Sequence, residues 1–333
     1  MYKKIILLIS FVLTCTIMNA QSYSSLWKQV AENEEKDLPR TQQKLLRQIV
    51  AKAESDKNYG HLLKAELKCA MLNSVISPDS LSVEVERIKT KLESLKSIGE
   101  SKVITASDKQ SNIALTAIYQ SVLARIYQQM ANRNDVIEGN PSVTYKDLSD
   151  KYYQLSMGDL PALSVINAKD YEPFIIEGVD SRIFYNDLLH VLGFEAKAYS
   201  RMYEWYKNHN NRPASCICAL FNYRQKYSKA NIHQSIIHVD SLINEYQDLK
   251  ECGELAIEHY SLMEQMGDVS AEDKMNYINY ALSKWGAWPR MNILRNAQNQ
   301  LTLPSFSVSI GSGVSLPNMP RKVVIRQIGR AHV

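Results

Sequence analysis

The sequence predicts a mostly α-helical protein, an irregular helical-hairpin array of the tetratricopeptide-like, α-solenoid kind, ending in the start of a β-sandwich. Three observations predict this. Apolar residues recur every three to four positions almost everywhere from residue 24 to 301, the step that keeps side chains on one helix face. Only 12 Gly and 10 Pro occur in 333 residues, too few for a disordered or all-β chain. After Leu303 the apolar period becomes two, the period of a strand.

Residues 1–20 read as a secretory signal peptide. Lys3-Lys4 is the basic start, Ile5 to Leu13 the apolar run, and small Ala20 precedes the cut before Gln21. That run is too short to span a bilayer. Thr14 before Cys15 is a poor lipoprotein context, so lipidation is not expected. The protein is expected to be exported to the periplasm or cell envelope, meeting membrane only through the cleaved leader.

The helical region is assigned to residues 21–301. Leu81, Val85, Ile88, Leu92 and Leu95 form one apolar stripe, and Leu115, Ile118, Val122 and Ile126 a second. Ile232, Ile236, Val239, Ile243 and Tyr246 form a third. Punctuation separates the helices. Asn58-Tyr59-Gly60 is read as the end of an early helix, and Ser77-Pro78-Asp79 and Glu138-Gly139-Asn140-Pro141 as breaks. Residues 158–180, with Gly158, Pro161, Pro173 and Gly178, form a longer break, so a sub-boundary is placed near 140–180. Beyond it, helices are expected at about 181–192, 194–208, 214–228, 231–250, 253–266, 271–285 and 290–300. Neighbouring pairs cover about 35–40 residues, the size of a solenoid hairpin. Leu123-Ala124-Arg125-Ile126-Tyr127 resembles part of the tetratricopeptide signature. A compact helical bundle is the structural alternative.

Residues 302–327 read as the start of a truncated β-sandwich. Phe306, Val308 and Ile310 alternate with serines, Gly311-Ser312-Gly313 breaks the strand, and Arg321 to Arg326 reads as a second strand. Residues 328–333, Ile328-Gly329-Arg330-Ala331-His332-Val333, read as a non-native tail matching translated sequencing adaptor, so the chain is expected to be a fragment.

Charge argues against a nucleic-acid binder. The formal charge of +4 includes Lys3, Lys4, Arg321, Lys322, Arg326 and Arg330. Without them, residues 21–320 hold 33 basic against 35 acidic side chains, which leaves no basic face. Nineteen Tyr against 6 Phe suits helices covered on one side, where a ring packs and its hydroxyl stays wet.

No residue is assigned a catalytic, cofactor-binding or metal-binding role, and no cofactor is implied. The chain lacks G-x-x-x-x-G-K-[ST], G-x-G-x-x-G, G-x-S-x-G and H-E-x-x-H. His233 and His238 are five apart, about 140° around a helix, and do not share a metal. Cys216-x-Cys218 has neither the partner pair of a zinc site nor the two-residue spacer of a redox pair. Cys69, Cys216, Cys218 and Cys252 are read as small buried thiols. Carboxylate pairs such as Glu84 with Glu86 and Glu254 with Glu258 are read as solvated faces. Tyr199, Tyr203, Trp205 and Tyr206 are read as packing aromatics rather than a sugar or peptide groove, and Trp285 and Trp288, flanking Gly286, as packing the last hairpin.

The order of parts carries a resemblance. A leader ending Asn19-Ala20-Gln21, a long helical region, then Leu303-Pro304-Ser305-Phe306-Ser307-Val308 and Arg321-Lys322-Val323-Val324-Ile325-Arg326 resemble the N-terminal part of large bacterial α-2-macroglobulin-family proteins of the Bacteroidetes type. The two segments look like the entry into a first macroglobulin-type sandwich. The resemblance implies a secreted peptidase inhibitor that traps its target through a bait segment and, in many members, an internal Cys–Gln thioester. Cys252-Gly253-Glu254-Leu255 lacks the Gln such a bond requires, so no functional residue carries over. The implied partner is a peptidase met by the full-length protein. Two other readings stand beside it: a periplasmic helical-repeat scaffold binding a protein or peptide, and a SusD-like glycan-binding protein of the outer membrane.

Overall fold

The computed structural model describes residues 22–76, 80–99, 105–133, 143–227 and 231–303, and the strands 305–310 and 323–328. The leader, the breaks at 77–79 and 138–141, and residues 329–333 lie outside the described residues. Most of the described chain is helical, and none of its helices is long and apolar enough to cross a membrane. The fold divides into two compact units, Met1–Ala198 and Tyr199–Val333. The 158–180 break therefore lies inside the first unit.

In the first unit the helices are α1 (Tyr23–Glu35), α2 (Pro39–Ser55), α3 (Tyr59–Ile76), α4 (Ser80–Gly99), α5 (Ala106–Asn132) and α6 (Tyr145–Ser156). Each packs on the next in sequence order. Local chemistry sets their starts. Ser22 accepts the Ser25 amide at 3.2 Å, Pro39 occupies the first turn of α2, and Thr144 and Asp147 cap α6 reciprocally. The stripes predicted on α4 and α5 face inward. Val85, Ile88 and Leu95 are buried, as are Leu115, Ile118 and Ile126. Leu123 and Ala124 of the tetratricopeptide-like segment are fully buried.

Residues 158–187 form a packed irregular segment. It holds the short helix α7 (Leu160–Leu163) and two 3-10 turns, Ala168–Tyr171 and Ser181–Phe184. Leu163, Ile166, Ala168, Tyr171 and Ile175 are buried, and Ala168 donates to the Asn186 carbonyl at 2.8 Å. Helix α8 (Leu188–Glu195) closes the unit.

The second unit is made of three successive helix pairs. These are α9 (Tyr199–Asn208) with α10 (Arg212–Tyr227), α11 (Ile232–Tyr246) with α12 (Gly253–Met266), and α13 (Ala271–Trp285) with α14 (Asn292–Thr302). The first helix of each pair carries a buried aromatic in its last turn, Tyr206, Tyr246 and Trp285, 40 and 39 residues apart. The strands β1 (Ser305–Ile310) and β2 (Val323–Ile328) pair antiparallel, with Ser305 opposite Ile328 and Ile310 opposite Val323. Among the described residues they form a two-stranded ribbon and no sandwich.

Two predicted boundaries are corrected. The helices expected at 181–192 and 194–208 are instead a 3-10 turn, α8 through Glu195, and α9 from Tyr199, with Gly193 buried inside α8. The early break falls at Asp56–Asn58, and Gly60 lies in the first turn of α3. One device explains both. Four three-residue links, centred on Asp37, Lys57, Lys197 and Asn210, each put a non-glycine residue at φ between 51° and 58°. The next amide in each then bonds five residues back: Leu38 to Asn33, Asn58 to Ala53, Ala198 to Gly193 and Asn211 to Tyr206, at 2.9–3.0 Å. This is the Schellman ending, usually built on Gly.

The link at Asp37 gives a clean test, because a left-handed conformation costs a β-branched residue more than it costs Gly or Asp. Asp37→Val is expected to destabilise the protein by about 1–2 kcal/mol, whereas Asp37→Gly stays within about 0.5 kcal/mol of the parent. Chemical denaturation of the two variants checks the order.

Candidate functional site

Three places in the structure gather polar side chains. The first is buried between α2, α3, α4 and α5. Leu62, Glu66 and Ala70 share one face of α3, and all three are buried, so a carboxylate sits in an apolar stripe. Its charge is compensated. Tyr119 donates its hydroxyl to Glu66 Oε2, and Arg87 lies 3.3 Å from Oε1. Arg87 Nε also donates to Glu84 Oε2 at 2.7 Å. Asn73 donates to Glu84 Oε1 at 3.2 Å, and Gln43 to Asn73 at 2.8 Å. Burial, then the neighbouring Glu66 carboxylate, pushes the Tyr119 phenol well above its ordinary range. Glu66 has its oxygens filled, and the cluster ties α2, α3, α4 and α5 together.

The second is a cleft of about 320 Å³ in the first unit, where the last turn of α4, one face of α5 and the α6–α7 turn meet. Leu95, Ile113, Ala117 and Leu163 line it with apolar surface. Asn112 and Thr116 are committed: Asn112 donates to the Leu95 carbonyl at 2.8 Å and accepts from Thr116 at 3.3 Å. Lys96, Lys109 and Gln120 also line it, at positions flanking that pair along α4 and α5, as does Asp159, whose carboxylate accepts the Ala162 amide at 3.0 Å.

The third is a column of turns in the second unit. Arg212, opening α10, donates to Asp248 at 2.5 and 2.8 Å and to the Glu245 carbonyl at 2.9 Å. The Ser215 and Tyr246 hydroxyls are 2.7 Å apart. The next turn is joined by donors from the opposite side. Trp285 Nε1 donates to the Gln247 carbonyl at 3.0 Å, and Trp288 Nε1 to Glu254 Oε1 at 2.7 Å. Arg290 donates to Glu254 Oε2 at 2.8 Å. The middle turn is thus clasped from both sides.

That column accounts for the thioester-like motif. The Cys252 thiol is fully buried, and burial, then nearby Asp248, pushes it up to about 12, so it is not a thiolate at neutral pH. A Cβ at Gly253 would stand 3.0 Å from Trp288. Glu254 is held as described. In Cys252-Gly253-Glu254-Leu255 the first three residues are each taken up by packing against the 288–291 turn or the core, and Leu255 is fully buried.

The other weighed residues separate. Cys216 and Cys218 are buried and Cys69 is half-buried, and none of them is in a disulfide among the described residues. The solvated-face reading of the carboxylate pairs is corrected: Glu84 and Glu254 are buried and bonded, while Glu86 is exposed and Glu258 pairs with Arg224 at 2.5 Å. The tyrosine cluster points to separate neighbours. Tyr206 is buried, Tyr203 accepts from Lys207, Trp205 stacks on His209, and Tyr199 tilts on Phe221. Trp285 and Trp288 both pack the last hairpin, at 2% and 4% exposure. His238 tilts against Tyr227 and His233 is exposed. Among the described residues no cluster of His, Cys, Asp and Glu could hold a metal.

His259 is held between an aromatic ring and a carboxylate. It stacks on Tyr277 at 4.4 Å, with Nε2 3.1 Å from Asp240 and a buried Nδ1 that has no hydrogen-bond partner. Burial lowers its pKa from 6.5, against the pull of Asp240. The unfolded chain therefore takes up this proton first as pH falls, so the ring's contribution is complete above pH 6.5 and shrinks below it. Thermal unfolding should show His259→Phe less sensitive than the parent to lowering the pH from about 7.5 to 5. Equal slopes would contradict this.

Comparison with protein-family models, curated proteins and solved structures finds no match to this chain.

Proposed function

We propose that the chain is the exported N-terminal helical region of an α-2-macroglobulin-like peptidase inhibitor. Its helices form an irregular helical-hairpin array that serves as a binding scaffold, and its bait and thioester chemistry lie outside these residues. The observation that carries the reading is the change at Leu303, where helical periodicity gives way to the strand-like segments that resemble the family's first sandwich, here paired as β1 and β2. On this reading β1 and β2 are the sandwich's first strands, and the leader, cut near Ala20–Gln21, delivers the protein to the periplasm or envelope. Three helix pairs whose first helices carry Tyr206, Tyr246 and Trp285 in their last turns, at 39–40-residue intervals, support the array.

The test uses the full-length gene product mixed with trypsin. The expected result is a peptidase that co-elutes with the inhibitor, cleaves small substrates and fails on large ones. Free trypsin with undiminished activity on casein would contradict the proposal.

A second reading is favoured by the turn column and the cleft: the helices are a scaffold for a protein or peptide partner in the envelope, without peptidase trapping. It predicts unimpeded trypsin and retention of a binding partner by the helical region.

A further inference from the structure

We propose that the cleft between α4, α5 and the α6–α7 turn takes the carboxy-terminal end of a peptide whose last side chain is apolar. The inference rests on the scaffold part of the functional reading and names what the scaffold's cleft would hold.

The chemistry of the lining selects this ligand. The volume of about 320 Å³ lies at the small end of ligand sites, fitting a terminal residue or two rather than a folded domain. Half-buried Ile113 and exposed Leu155 offer apolar contact for a side chain, over a floor of buried Leu95, Ala117 and Leu163. Lys96 follows Leu95 in sequence and Lys109 lies one helical turn before Asn112, so the two lysines flank the hydrogen bond that joins Asn112 to the Leu95 carbonyl. They come from different helices, and neither forms an ion pair among the described residues. Asp159 lines the same cleft, but its carboxylate is engaged by the Ala162 amide at 3.0 Å, so Lys96 and Lys109 are the charges left to meet a guest carboxylate through charge-assisted contacts. Gln120, two turns along α5 from Asn112, presents a side-chain amide with no partner among the described residues, complementary to a peptide group. Capture of a terminal carboxylate beside an apolar pocket is an established mode of peptide recognition. Two lysines beside a small cleft suit one carboxylate, whereas a polyanion needs an extended basic face.

The experiment is a ligand-observed NMR titration of the intact chain with three probes: N-acetyl-leucyl-leucine, its C-terminal amide, and octanoate. The peptide acid is expected to bind saturably, and the amide about tenfold more weakly. Lys96→Glu combined with Lys109→Glu should abolish binding of the acid, and Lys96→Gln with Lys109→Gln should weaken it about tenfold, which keeps the test valid if the charge reversal impairs folding. Equal binding of acid and amide, tighter binding of octanoate than of the peptide acid, unchanged binding by the folded double variant, or no saturation up to about 10 mM would each overturn the inference. None of these results alters the outcome with trypsin, so failure here is separable from failure of the inhibitor reading.

Discussion

Trp285→Ala is expected to destabilise the unit Tyr199–Val333 by about 3–5 kcal/mol, the cost of emptying a buried indole site. Trp285 is 2% exposed in the last turn of α13, with Tyr280 edge-on at 5.7 Å. Its indole N–H is the donor that ties the third helix pair to the Gln247 carbonyl of the preceding turn. The substitution therefore removes a core side chain and one rung of the turn column together. In calorimetry the transition of this unit should fall by about 10–15 °C. A fall of only one or two degrees would mean that the turns are not held together through Trp285.

Gly60→Ala is expected to cost about 3 kcal/mol or more, at the upper end for inserting a single methyl group into packed structure. A Cβ at Gly60 would sit 1.9 Å from the Glu172 carbonyl oxygen and 2.7 Å from the Tyr171 carbonyl carbon. The obstacle is main chain, so no rotamer change relieves it. The whole 171–172 turn would have to move off the first turn of α3. At Gly178 a Cβ meets nothing nearer than 4.0 Å, and Gly178→Ala should lie within about 0.5 kcal/mol of the parent. Chemical denaturation of both variants measures the difference. Equal stabilities would contradict the close approach.

Gly60 also shows where sequence reasoning stops. A glycine after Asn58-Tyr59 looks like a helix end, because Gly is the usual left-handed cap. Here Lys57 takes the left-handed conformation, and Gly60 is needed for contact with a segment more than a hundred residues away. The same substitution of Lys197 for glycine moved the predicted boundary between α8 and α9. Helix existence was legible because the stripes on α4, α5 and α11 repeat over several turns, and the later helices lie close to their predicted spans.

Polar burial was partly legible. Glu66 stands four residues from both Leu62 and Ala70, so a charge inside an apolar stripe was there to be noticed. Its partners Arg87 and Tyr119 were not, because they come from α4 and α5 and meet it only in the fold. Cys252-Gly253-Glu254 shows the converse. Its resemblance to a reactive motif is visible in one line of sequence, while the Trp288 and Arg290 side chains that hold Glu254 follow more than thirty residues later. The cleft of Lys96 and Lys109 could not be foreseen, since it exists only where α4 and α5 lie side by side.

The central claim is that these helices belong to a larger peptidase trap. Sequencing the native locus across and beyond the codon for Ile325 tests it most directly. The account predicts an open frame that departs from the present sequence near residue 328 and runs into repeated β-sandwich segments with bait and thioester-type regions. A stop codon directly after Val333 in clean genomic sequence, or a continuation into an unrelated domain, would contradict it.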